Sequence, residues 1–181
     1  MRRAEILDAT IAIMAKKGYW GLTMADVAKE ADVTVQGILH YFPTEDDLLV
    51  GVLSLRDELD IQAVRPPART VATASEFTQV IERLVERNSQ RPEIIRLCTV
   101  LSAESLEPAH PAHQFFSDRL NRAVETFAQL AALWHPNPGE LGLQVVCALD
   151  GLQLNWLRDP HLDLVEQWRT WAANYLGSFL T

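Results

Sequence analysis

An all-α fold of about nine helices is predicted by three features of this 181-residue sequence. Apolar residues recur at three- and four-residue spacing along most of the chain, and no strand-like alternation is sustained. Threonines and prolines stand where helices should begin, and glycine or proline stands where they should end. The composition is globular, with 48% hydrophobic and 22% charged residues, so a core of ordinary size is available to cover one face of each helix.

The first helix is expected from Arg2 to Lys17, with inward repeats Ile6, Ala9, Ile13 and Leu7, Thr10, Met14 and a stop at Gly18. Thr23 followed by Asp26 is a capping box opening a second helix, whose inner face is Met24, Val27, Ala28 and Ala31. After a tight joint at Asp32-Val33, Thr34 caps a third helix running to about Tyr41, which Pro43 ends. Thr44 caps a fourth helix to about Ala63. Its acids Glu45, Asp46 and Asp47 suit the positive end of a helix dipole and are not read as metal ligands. The run Arg65-Pro66-Pro67-Ala68-Arg69 interrupts the chain. Further helices are expected at about Ser75–Gln90, Pro92–Leu106, Pro111–Trp134, Pro138–Leu157 and Leu162–Leu180, the last preceded by Asp159-Pro160. The division is placed after the fourth helix begins, giving residues 1–48 and 49–181.

Charge excludes some classes of function. The formal net charge is −8, with 16 Lys and Arg against 24 Asp and Glu. Residues 1–50 carry −3 and residues 51–181 carry −5. No strongly basic domain exists, so any contact with nucleic acid must come from local geometry. Apolar runs fall short of the ~20 residues of a membrane span, and no secretory leader pattern is present. Cys98 and Cys147 are expected as free, mostly buried thiols. Nucleotide and hydrolase signatures are absent, so neither a cofactor nor an enzymatic activity is expected. Glu107, His110 and His113 come nearest to a metal constellation, but prolines interrupt them and a solvated connection is the expected reading.

The stretch Thr23–Leu49, TMADVAKEADVTVQGILHYFPTEDDLL, carries the functional signal. Two short helices joined by a tight turn and packed on a first helix form a helix-turn-helix unit, whose second helix enters the DNA major groove. Val27, Ala28, Ala31, Val33, Ile38 and Phe42 are the small and branched residues that would hold the pair at a steep angle. Thr34, Val35, Gln36 and Gly37 fall at the end of the third helix where side chains meet base edges.

The spacing of Gly18, Thr23, Val27-Ala28, Ala31-Asp32-Val33-Thr34, His40-Tyr41-Phe42-Pro43-Thr44-Glu45 and Leu48-Leu49 resembles the TetR family of bacterial transcriptional regulators. The resemblance implies that Thr34, Val35, Gln36 and Gly37 read bases. It makes Arg2, Arg3, Thr23, His40, Tyr41 and Thr44 contacts to phosphate, with Phe42 as core. The family's pattern has glycine at Asp32, lysine at Glu45 and a basic or polar residue at Val35. Those departures predict modest non-specific affinity and a shallow salt slope.

By the same resemblance the C-terminal part binds an effector and a second copy. Phe77, Thr99, Ser102, Phe116, Phe127, Asn155 and Trp156 are candidates to line an effector pocket for a lipophilic or aromatic small molecule. Val145, Leu149, Leu152, Trp168, Trp171 and Tyr175 are candidates for a homodimer interface, because apolar residues occupy several sides of the last two helices. The implied protein is a cytoplasmic repressor that binds a palindromic double-stranded operator as a dimer and releases it on binding the effector. The competing readings are a helical small-molecule-binding protein without specific DNA binding, and a helical metalloenzyme.

Overall fold

Three threonines start three helices, Thr23 and Thr34 where the spacing predicts and Thr73 for a helix that begins at Ala74, one residue ahead of the expected Ser75. Thr23, Thr34 and Thr73 adopt extended backbone and accept a hydrogen bond from the N–H three residues on, at Asp26, Gly37 and Glu76. The computed structural model describes residues 2–64, 71–159 and 161–179. The proline run at 65–69, Pro160 and the expected helix end at Leu180 lie outside the described residues.

Among the described residues there are nine α-helices and no strand: α1 Arg2–Lys17, α2 Met24–Glu30, α3 Val35–Tyr41, α4 Glu45–Val64, α5 Ala74–Ser89, α6 Pro92–Glu104, α7 His113–Ala131, α8 Pro138–Arg158 and α9 Leu164–Leu176. Short 3-10 turns stand at Tyr19–Gly21 and Gly177–Phe179. The all-α expectation holds. Helix α7 is shorter than the expected Pro111–Trp134. Its N-terminal side is a pair of turns, with N–H bonds from His110 to Glu107 O and from His113 to His110 O, and the flanking prolines stay outside the helix.

The chain divides into two compact units, Met1–Leu59 with Glu93–Phe115, and Asp60–Pro92 with Phe116–Thr181. The first contains the whole 1–48 segment and adds much of α4 and nearly all of α6. In it α1 packs on α2 and α2 on α3. Its buried apolar residues include Ile6, Leu7, Met14, Val27, Ile38, Phe42, Leu48, Leu53, Ile95 and Leu97. Each such side chain contributes ~1.5–3 kcal/mol on leaving water. Thr10 sits fully buried in the apolar face of α1 at no hydrogen-bonding cost, because its hydroxyl donates to Ile6 O at 2.7 Å.

In the second unit α9 packs on α5 and α8. Phe77, Ile81 and Val85 of α5 meet Leu141, Val145 and Leu149 of α8 and Leu164, Trp168 and Leu176 of α9 in one core. Arg169 of α9 is 2.7 Å from Glu82 of α5 at the edge of that core, and the carboxylate raises the guanidinium above its ordinary value.

Candidate nucleic-acid interface

The turn between α2 and α3 is a Schellman closure in which aspartate takes the place of glycine. Ala31 is the C-cap of α2, and Asp32 follows in left-handed backbone at φ 52°. The Val33 N–H reaches back to Ala28 O at 2.9 Å and the Asp32 N–H to Lys29 O at 3.4 Å, closing the last turn. Extended Thr34 then redirects the chain into α3, its hydroxyl accepting from Gly37 N at 3.0 Å. A Cβ on Gly37 would stand 3.3 Å from that same hydroxyl oxygen, so the glycine keeps the cap uncrowded.

Helix α3 therefore buries Ile38 completely and presents its N-terminal turn outward. Thr34, Val35 and Gln36 are exposed, Gly37 is half-buried, and Val35 exposes 39% of its surface despite being apolar. An exposed valine beside an exposed glutamine can supply a contact to a thymine methyl next to a hydrogen-bonding amide. The four residues expected to face bases thus form one continuous turn. At the other end His40 and Tyr41 are both exposed, with rings 5.2 Å apart edge to face.

The expected phosphate contacts are all exposed, but several already have partners. Thr23 Oγ1 donates to Asp26 Oδ2 at 2.8 Å, and Thr44 Oγ1 donates to Asp47 Oδ2 at 2.8 Å. Each hydroxyl proton is committed to a capping carboxylate, so contact with a phosphate requires that bond to turn away. Arg2 lies 3.6 Å from Glu5, and the Arg3 guanidinium carbon stands 5.0 Å from the centre of the Phe42 ring. The lysines at the end of α1 are also paired, Lys16 with Glu30 at 2.9 Å and Lys17 with Asp26 at 2.8 Å. Sequence spacing missed these last two pairs, since they join different helices.

Elsewhere the expected sites scatter. Of the effector candidates, Thr99 and Ser102 fall in the first unit, whereas Phe77, Phe116, Phe127, Asn155 and Trp156 fall in the second. Phe77, Phe116 and Phe127 are buried, Ser102 and Asn155 are exposed, and the Asn155 amide donates to Gly151 O at 2.9 Å. Three of the six interface candidates need correction. Val145, Leu149 and Trp168 are sealed inside the second unit's own core, leaving Leu152, Trp171 and Tyr175 with surface to offer. Trp171 stacks on Tyr175 at 4.9 Å, and Tyr175 remains 46% exposed.

No group of three His, Cys, Asp or Glu among the described residues could hold a metal ion. His113 Nδ1 lies 2.7 Å from Ser105 O, and His110 Nδ1 accepts from Ala112 N, so both rings serve the loop. Both cysteines are free, but Cys147 is exposed, not buried as expected. No helix among the described residues is long and apolar enough to cross a membrane.

A short capped helix presented on two supporting helices, with a larger helical remainder, defines the helix-turn-helix class of protein. Residues 6–52 match the family profile of bacterial regulatory proteins, tetR family. The repressor KstR of Rhodococcus jostii (strain RHA1) is 38% identical over 95 residues, which cover 52% of this chain and 43% of KstR. A transcriptional regulator from Rhodococcus sp. Rha1 has the same fold, with a TM-score of 0.79 at 16% identity over 100% of this chain and 99% of that one. The TetR-family repressor FadR of Thermus thermophilus, solved with lauroyl-CoA, has a TM-score of 0.71 at 17% identity, covering 99% of this chain and 95% of that one. Over residues 6–52 the chain is similar to the tetR family, and over its whole length it shares the fold of solved TetR-family regulators. It spans less than half the length of the KstR relatives it matches.

Proposed function

We propose that the protein is a cytoplasmic, homodimeric repressor that inserts α3 of each copy into successive major grooves of a palindromic operator. The observation that carries this reading is the outward turn Thr34-Val35-Gln36-Gly37 on a helix whose opposite side is anchored by fully buried Ile38. In this reading residues 1–48 bind DNA and residues 49–181 bind the effector and the second copy. Arg2, Arg3, Thr23, His40, Tyr41 and Thr44 orient the unit on phosphates while Val35 and Gln36 discriminate bases. One short helix reads too few base pairs for a genomic site, so a symmetric pair is needed. Leu152, Trp171 and Tyr175 are the surface the last two helices offer for that pairing.

The effector in this reading is a lipophilic or aromatic small molecule taken by apolar residues of the second unit, with Phe77, Phe116, Phe127 and Trp156 as lining and Asn155 as a polar contact. An acyl-CoA bound by a repressor of the same fold supports a long apolar ligand. Its binding would shift populations toward a dimer whose recognition helices no longer match the groove spacing.

The test is a gel shift with duplex DNA from the promoter beside the protein's own gene. A shift at low salt that Gln36→Ala weakens on the promoter, but not on scrambled DNA, supports the reading. Folded dimer with no shift rejects it. The second reading, a helical ligand-binding protein without operator binding, is favoured by the paired Lys16 and Lys17 and by the −3 charge of residues 1–50. Ligand affinity with no operator would establish it.

A further inference from the structure

Phe42 closes α3. Its N–H donates to Ile38 O at 2.9 Å, and its side chain is only 2% exposed. One neighbour of the ring is the Arg3 guanidinium at 5.0 Å from its centre. Another is the bare backbone of α4. A Cβ built on Gly51 would lie 2.8 Å from Phe42 Cε1, 3.5 Å from Phe42 Cζ and 3.0 Å from Leu7 Cδ2. Side-chain carbons do not approach that closely, so any residue larger than glycine must displace the ring or the helix. The ring is itself only 2% exposed, so it cannot yield toward solvent without leaving the core. Glycine in a helix interior costs ~1 kcal/mol relative to alanine, so its presence in the second turn of α4 calls for a packing reason.

We infer that Gly51 is a positioning residue for the recognition helix: its missing side chain sets how closely α4 approaches Phe42, and so the angle at which α3 presents Val35 and Gln36. The inference rests on the DNA-binding reading above. Phosphate contacts tolerate small tilts, whereas hydrogen bonds to base edges depend on direction. A change at Gly51 should therefore damage discrimination between sequences more than affinity for DNA in general.

The experiment measures affinity of the full chain for own-promoter and scrambled duplexes, comparing wild type with Gly51→Ala, Phe42→Leu and the double variant, at a temperature where circular dichroism shows each folded. Each single variant should lower the promoter-to-scrambled affinity ratio by about tenfold, the size of one lost base contact. Scrambled-duplex affinity should change by no more than about twofold. The double variant should recover most of the ratio, because leucine withdraws the ring edge that the new methyl group meets. An unchanged ratio in Gly51→Ala, or a double variant no better than Gly51→Ala, overturns the inference. Should Gly51→Ala not fold, an unchanged ratio in Phe42→Leu overturns it instead. Wild type binding both duplexes equally would reject the DNA-binding reading itself, and this inference with it.

Discussion

Lys17 Nζ stands 2.8 Å from Asp26 Oδ1, joining the last turn of α1 to the first turn of α2. The other carboxylate oxygen accepts from the Thr23 hydroxyl, so one side chain serves both as capping partner and as interhelical tie. The lysine bond, then the threonine bond, hold the Asp26 carboxyl below its ordinary value of 3.8. A carboxyl whose folded value is depressed contributes stability that is fully present above the unfolded value and is lost as pH falls through the folded one. Wild type should therefore melt above Asp26→Asn at neutral pH, with the two melting temperatures converging below the 3.8 of a free carboxyl. Thermal melts across an acid series check this, and a gap that stays constant to low pH contradicts it.

Asp32 holds a conformation that glycine adopts without cost, at φ 52° in the turn between α2 and α3. Replacing it with glycine relieves that strain, although the looser unfolded chain offsets part of the gain. The expected net effect of Asp32→Gly is a stabilisation of about 0.5–1 kcal/mol by urea unfolding. The same change removes a negative charge beside the exposed start of α3, so under the proposed function affinity for scrambled DNA at low salt should rise. A variant that is less stable than wild type would show that the aspartate side chain supports the turn.

Glu45 is the first residue of α4, directly after the Thr44 cap, and it is exposed. An acid there complements the helix dipole, so Glu45→Lys should cost ~0.3–1 kcal/mol of stability. On DNA the sign reverses. A lysine at that end adds one phosphate contact per copy, steepening the dependence of log affinity on log salt by about 0.9 per contact, or about 2 for a dimer. Binding measured from low to moderate salt decides the matter, and an unchanged slope would mean that this end of α4 does not meet phosphate.

The caps were legible because they are local. Thr23 with Asp26 and Thr44 with Asp47 lie within one turn, so residue type and spacing suffice to place them. The outward placement of Thr34, Val35 and Gln36 is legible for the same reason, since a threonine cap and a buried Ile38 orient the residues between them. Interhelical facts were not. Lys17 has no sequence neighbour that reveals Asp26, and α8 and α9 carry apolar residues on so many sides that the sequence does not say which face is spent internally. Trp168, expected on a partner surface, lies fully buried within its own unit. The start of α7 failed for another reason: prolines suit both a first helical turn and the turns before it, and here the turns at His110 and His113 prevail.

Gly142 carries the clearest test of the second unit. A Cβ there would lie 2.4 Å from the carbonyl oxygen of Val124 and 3.1 Å from the Ala128 nitrogen, both backbone atoms of α7. Two effects oppose each other in Gly142→Ala. Helix propensity favours alanine by ~1 kcal/mol. Overpacking costs ~1–3 kcal/mol where side chains can move, and backbone atoms cannot rotate away, so the upper end applies. The steric term wins, leaving a net loss of about 2 kcal/mol and a melting temperature lower by roughly 4–8 °C. Gly151 in the same helix is the internal control, with nothing within 4 Å of its added Cβ. There propensity acts alone, and Gly151→Ala should raise stability by up to ~1 kcal/mol. Opposite shifts for two identical substitutions in α8 establish that α7 and α8 cross backbone to backbone at Gly142. Two gains would mean that the helices are free to separate at that point.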